Sequence, residues 1–203
     1  RFEHLPLECS HLYLAIEGKL AAVICVEDPL REEAADAVRE LKEAGITKVV
    51  MMTGDSERTA AAIAKRVGVD EYYSEVLPED KALYVKKMRK QGHKVIMVGD
   101  GINDSPALSE ADVGIAIGSG AAIAREIADI TIAADDLMEL VILRKLSRAL
   151  MKRIKGNYRF IVGFNSALIA LGLGGLISPS TSALVHNGST ILTGVKSTTS
   201  LLD

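Results

Sequence analysis

Between residues 160 and 195 the chain carries no Asp, Glu, Lys or Arg, whereas nearly all of its charge lies at or before Arg159. A boundary this sharp predicts two bodies in different surroundings, because unpaired charge is costly away from water and its absence is costly nowhere else. Residues 160–177 are eighteen residues with only Asn165 and Ser166 as strongly polar interruptions. That is about the length needed to cross a hydrocarbon core. Ahead of them lies a helical pattern bearing Arg144, Lys145, Arg148, Lys152, Arg153, Lys155 and Arg159. Such a positive cluster places the preceding part on the cytoplasmic side. After Ser178-Pro179, residues 181–202 form a weaker second segment, its hydropathy lowered by His186, Asn187, Lys196 and many Ser and Thr. The expectation is an integral protein of the plasma membrane, with lipid-embedded helices near 157–177 and 181–202. The membrane part would cover residues 144–203.

The 203 residues suffice for one ordinary domain and a little more. A net charge of -3 gives no argument for a nucleic-acid partner. Cys9 and Cys25 have no metal-like or redox-like spacing and read as reduced, packed thiols. No signal-peptide pattern precedes the first domain, and the chain opens on Arg1, so it reads as a piece of something longer.

The charged part alternates strand and helix patterns. Two apolar runs, 12–16 and 20–26, flank Glu17-Gly18-Lys19 and predict a hairpin. Asp28-Pro29 opens a predicted helix to about Ala44, with Gly45 past its end. Strands are then expected at 46–52, near Tyr72, and at 94–98, 113–117 and 130–132. Helices are expected at 56–67, 79–91 and about 103–110. This order predicts an α/β fold, a Rossmann-like parallel sheet with helices on both faces.

In such sheets ligands bind at the carboxyl ends of the strands. Two strands end in unusual loops there, Thr53-Gly54-Asp55 and Gly99-Asp100-Gly101-Ile102-Asn103-Asp104. Gly99 and Gly101 let backbone turn tightly and approach a phosphate. Asp100 and Asp104 are hard oxygen donors of the kind Mg²⁺ requires, and Asn103 adds a neutral donor for a phosphoryl oxygen. The Thr53 hydroxyl and Gly54 N–H face the start of the next helix, where an anion is stabilised. Lys81 follows Pro78-Glu79-Asp80 in the first helical turn, an unfavourable place for a cation. Its reason should lie outside its own helix, and a phosphoryl oxygen would supply one.

These runs, together with Ser105-Pro106-Ala107-Leu108, resemble the later signature motifs of P-type ATPases, which belong to the haloacid-dehalogenase-like superfamily. Asp28-Pro29-Leu30-Arg31 resembles the point where the chain re-enters that family's phosphorylation domain from its nucleotide-binding domain. Residues 111–118 fit the family's continuation. The resemblance covers essentially the whole chain, and the pair of closing membrane helices suits the heavy-metal branch. It implies that Asp100 and Asp104 bind Mg²⁺, with Asn103 supporting metal and phosphate. Thr53 and Gly54 would hold the phosphoryl group, Lys81 would neutralise it, and Asp55 would lie toward ATP. Asp28 and Arg31 would act at an interdomain hinge.

The resemblance implies three parts: 1–27 as the end of a nucleotide-binding domain, 28–143 as a partial phosphorylation domain, and 144–203 in the membrane. The family's phosphorylated Asp-Lys-Thr-Gly motif is absent. The chain alone is therefore expected to be inactive and to depend on the upstream half of the same pump. Polar groups inside a membrane line transport paths, so Asn165, His186, Asn187 and Ser189 are candidates for the transported metal cation. His186 with Asn187 suits Zn²⁺, Mn²⁺ or Co²⁺ better than Cu⁺. Two other readings stand beside this one: a stand-alone phosphatase of the same superfamily, and a non-catalytic membrane-anchored phosphate-binding module.

Overall fold

The computed structural model describes residues 10–26, 30–99, 103–118, 126–133 and 136–202. It divides into two compact units, residues 1–141 and 142–203.

The first unit opens with an antiparallel hairpin, β1 (Ser10–Ile16) and β2 (Lys19–Val26). Glu17 and Gly18 both take positive φ, 49° and 74°, as a two-residue turn between right-twisted strands demands. Apolar side chains stay open on both of its faces: Leu12, Tyr13, Leu14 and Ile24 are all exposed. Cys25 is a free, exposed thiol and not a packed one, because the ribbon has no second layer at this point. Cys9 lies outside the described residues.

Helix α1 (Ala34–Glu43) starts later than Pro29 suggests. β3 is shorter than its apolar run, Val50–Met52, and pairs in parallel with β4 (Glu71–Tyr73). Just before β3, the Val49 N–H donates to the Asp70 carboxylate at 2.7 Å, so a side chain takes the place of a strand partner. Helix α2 (Glu57–Val67) lies between them, its first turn capped by Ser56, whose hydroxyl accepts from the Thr59 N–H. Helix α3 (Pro78–Lys90) leads to β5 (Ile96–Gly99), α4 (Ser105–Glu110), β6 (Val113–Ile117) and β7 (Ile130–Ile132). β5, β6 and β7 form a second parallel set.

The parallel pairing agrees with the expected α/β fold, and among the described residues these strands hydrogen-bond as two sets, β3-β4 and β5-β6-β7. β6 and β7 keep their predicted limits, since β6 is a fully apolar run and β7 alternates Ile130 and Ile132 about Thr131, each with a neighbour on one side at least. Among the described residues the core of the first unit mixes alanines, such as Ala34, Ala37, Ala60, Ala64, Ala107 and Ala116, with Val67, Val85, Ile115, Ile117 and Leu140, and Leu108 and Val141 are the largest that are fully buried.

Helix α5 (Met138–Leu173) begins in the first unit and continues through the second, where α6 (Pro179–Ser197) follows. α5 ends at Leu173, where the chain turns at Gly174-Gly175, rather than running on to 177. Its uncharged stretch from Phe160 is therefore about 21 Å long, against roughly 30 Å of hydrocarbon. α6 is interrupted by His186, Asn187 and Lys196. Among the described residues, no helix is long and apolar enough to cross a membrane.

Candidate phosphoryl site

The carboxyl ends of β3 and β5 carry the two loops singled out by sequence. After β3, the Thr53 N–H donates to the Tyr73 carbonyl at 3.0 Å, and the Thr53 carbonyl accepts from the Val76 N–H at 3.0 Å. The backbone is held from both sides. The Thr53 hydroxyl donates to Asp55 Oδ2 at 2.7 Å and accepts from the Asp55 N–H at 3.1 Å. Gly54 between them is exposed. These residues form a closed turn whose one open backbone position is the glycine.

After β5, Asp104 stands just before α4 and is buried, with 8% of its surface exposed. Its Oδ1 accepts from Lys81 Nζ at 2.8 Å. The ammonium and carboxylate side chains are 17% and 11% exposed. Thr59 and Asp104 are the buried polar residues among those described. Thr59 is satisfied by Ser56, and Asp104 by a cation from a different helix. The sequence asked what outside α3 keeps Lys81 in its unfavourable first turn. A carboxylate 23 residues further along the chain answers it.

Gly99 makes room for this carboxylate. A Cβ built at Gly99 would lie 2.6 Å from both Asp104 Cβ and Asp104 Oδ2. No side chain fits there without moving the carboxylate, so the glycine is required by a close approach. One oxygen of Asp104 therefore meets Lys81 while the other lies over the end of β5.

Among the described residues, the site gathers as two pairs, Thr53 with Asp55 and Lys81 with Asp104. Asn103 is exposed beside Asp104. Asp100 and Asp28 lie outside the described residues. Arg31 precedes α1, where its carbonyl accepts from the Ala34 N–H at 3.1 Å. No group of three or more His, Cys, Asp or Glu capable of holding a metal is found among the described residues. A Mg²⁺ ion keeps several waters and takes only one or two protein carboxylates, so a single buried carboxylate such as Asp104 suits it. Sequence reasoning placed Asp104 with the metal and missed its direct pairing with Lys81. The signal for it was present in the misplaced lysine itself.

In the second unit, His186 Nδ1 and Asn165 Oδ1 are 2.8 Å apart, joining α6 to α5. The Ser189 hydroxyl donates back to the His186 carbonyl at 2.7 Å, and Asn187 is exposed. Two of the four candidate cation residues are thus in contact, and a third is turned into its own helix.

Residues 3–112 match the family model of the haloacid dehalogenase-like hydrolases. Copper-transporting ATPase 2 of Rhizobium meliloti is 47% identical over 87% of this chain, which spans 21% of that protein. A zinc-exporting P-type ATPase of Mycobacterium marinum is 41% identical over 89% of this chain, which spans 25% of it. The crystal structure of a zinc-transporting PIB-type ATPase in its E2.Pi state superposes on 92% of this chain with a TM-score of 0.80 at 36% identity, using 30% of that chain. The chain thus spans about a fifth to a quarter of the length of these curated relatives. It belongs to the haloacid dehalogenase-like hydrolase family, and the relatives it matches there are heavy-metal P-type ATPases.

Proposed function

We propose that this chain supplies the charge-neutralising half of the phosphoryl site, and two of the membrane helices, of an ATP-driven heavy-metal pump. The observation that carries the reading is the buried Lys81–Asp104 pair at the end of β5, reached only because Gly99 leaves space. Phosphoryl transfer needs little covalent help from such residues. It needs positive charge, donors and a metal held in fixed places.

Lys81 would give a point charge to a phosphoryl oxygen, the Gly54 N–H would donate to another, and the Thr53 hydroxyl would donate to a third on turning its one proton away from Asp55. Asp104 and Asp100 would hold Mg²⁺, which when bound neutralises phosphate charge, and Asn103 would support it. Asp55 would lie on the side of ATP, with Asp28 and Arg31 at the hinge. The carboxylate nucleophile and most of the nucleotide-binding domain would come from the upstream half of the same pump. In support, among the described residues β3 and β5 each pair on one side only, which leaves an edge of each set for a further strand bearing the nucleophile. The open hairpin β1-β2 likewise offers apolar surface for the rest of a nucleotide-binding domain.

The second unit would lie in the bilayer. Its outward surface supports this: Ile169, Leu173, Leu184, Ile191, Leu192 and Val195 are 62–86% exposed with no protein against them. Asn165 and His186, with Asn187 and Ser189 nearby, would line the cation path. An imidazole ligand favours a borderline divalent ion over Cu⁺.

The test is phosphoenzyme formation from labelled ATP in the full-length pump. Lys81→Ala and Asp104→Ala should each lower it by about tenfold or more, since each removes charge stabilisation in a site of low dielectric. Asp112→Ala, at the opposite ends of the same strands, should leave it unchanged. Normal labelling and pumping in both site variants would refute the assignment.

A further inference from the structure

The helices of the second unit are joined at a second place, three turns from the Asn165–His186 pair. Arg153 on α5 donates through one nitrogen to the Thr199 carbonyl at 2.6 Å and, more weakly, to that of Ser197 at 3.4 Å. Through its other terminal nitrogen it donates to the Ser200 carbonyl at 2.7 Å. One turn along α5, Asn157 Nδ2 donates to the Ser197 hydroxyl at 3.0 Å. Ser197 is the last residue of α6 and Thr198 its cap, so the guanidinium lies at the helix's negative end and gathers the carbonyls of Thr199 and Ser200 just past it. Its planar fork suits carbonyls that diverge.

The spacing ties this cluster to the polar pair. Asn165 lies twelve residues after Arg153, and His186 lies eleven before Ser197, so both contacts belong to one antiparallel register. Both intervals span about 16–18 Å of helix. The less exposed positions agree with it: Arg153, Asn157, Phe164, Asn165 and Leu168 on α5, and Ser182, Ser189 and Thr193 on α6. On α6 these residues fall with Ser197 on one face at helical spacing, and they are small enough to let the backbones approach. Small side chains interlock poorly, so they fix distance better than register. A slip of one residue would shift α6 by about 1.5 Å and rotate it by about 100°, carrying His186 away from Asn165.

We propose that Arg153, assisted by Asn157, is a positioning residue that latches the carboxyl end of α6 to α5 and so holds His186 against Asn165. Asn165 Oδ1 can only accept, so this contact puts the imidazole proton on Nδ1 and leaves the Nε2 lone pair free. That the freed nitrogen serves a metal rests on the transport reading above. The latch itself does not.

The experiment uses the complete chain in lipid nanodiscs, with Cys9 and Cys25 replaced by Ser and a reporter pair Leu168→Cys and Ser182→Cys, which the register sets opposite one another. Arg153→Ala should slow disulfide cross-linking about tenfold, the scale expected on losing several charge-assisted hydrogen bonds. Without the reporter pair, it should also shift the ¹⁵N signals of the His186 ring away from the Nδ1–H form. Arg153→Lys keeps the charge but not the fork and should fall between the two. A purely structural role would change helix content while leaving the tautomer of the folded fraction as it was. Unchanged cross-linking and ring signals in Arg153→Ala overturn the proposal. If that variant does not fold by circular dichroism, Asn157→Ala and Arg153→Lys decide, and wild-type behaviour in both overturns it equally. His186→Ala separates the two readings: metal-dependent activity that survives it in the full-length pump refutes the transport role of His186, while cross-linking of this chain at the wild-type rate leaves the latch standing.

Discussion

The strands β5 and β6 have a Lys–Asp pair at each end, and the two pairs are almost equal in length. At the carboxyl end Lys81 meets Asp104 at 2.8 Å, and at the amino end Lys94 meets Asp112 at 2.9 Å. Their surroundings differ. The Lys94 side chain is 88% exposed, whereas that of Lys81 is 17% exposed. Asp112 is also served by the Val95 N–H at 3.0 Å and by Arg89 at 3.4 Å. It is a local staple tying the starts of two strands together. Among the described residues Asp104 has one cation, Lys81, in a space that exists only because residue 99 is glycine. A short distance alone says little about an ion pair; what water would do if the partner left says more. The exposed staple would be resolvated. The buried pair would leave a stranded charge, and a site of that kind is ready for a second anion or cation to enter.

Three measurements press on this difference. The largest effect should come from Asp104→Ala, which strands Lys81 and should cost about 3 kcal/mol in urea unfolding. Combining it with Lys81→Met should recover much of that loss, and a double variant no better than the single would mean the pair is not the cause. Next, Gly99→Ala pushes a methyl group against Asp104 and should cost about 2 kcal/mol by overpacking. A cost near zero would show that Asp104 has room to move aside and that the cradle is loose.

The smallest effect belongs to the staple and appears only in acid. Lys94, with the Val95 N–H, holds the Asp112 carboxyl below its ordinary value of 3.8. A group depressed on folding stabilises the protein fully above its unfolded pKa, and that share is lost as pH falls through the lower folded value. Asp112→Asn should therefore weaken the acid dependence of stability below about pH 4 and abolish none of it between pH 6 and 8. Asp70, depressed by Lys42 and the Val49 N–H, should contribute in the same window and sense. An unaltered acid limb in Asp112→Asn would remove the staple from the account.

Much of this was legible in the sequence because punctuation and period agreed. Ser56 and Val67 bound a helix by a cap and an apolar spacing, the run of β6 is fully apolar, and β7 alternates isoleucines about Thr131. Strand β3 was harder to read, since residues 46–49 look like strand but are tied to a helix end and to the Asp70 side chain. The site loops were recognisable from residue types at strand ends. The Lys81–Asp104 pairing was not, because it joins two helices whose separation only the fold determines. The end of α5 at Leu173 was missed for a related reason: hydropathy runs smoothly through Gly174-Gly175, while the backbone does not.

The alanine share of the core has a thermal consequence. Heat capacity on unfolding follows the apolar surface released, and alanines release little of it. With alanines making up half of its described buried apolar residues, the first unit should unfold with a reduced heat-capacity change. Its stability would then vary little between cold and warm conditions, and calorimetry would register a flattened dome where a leucine-rich core of equal size gives a steep one.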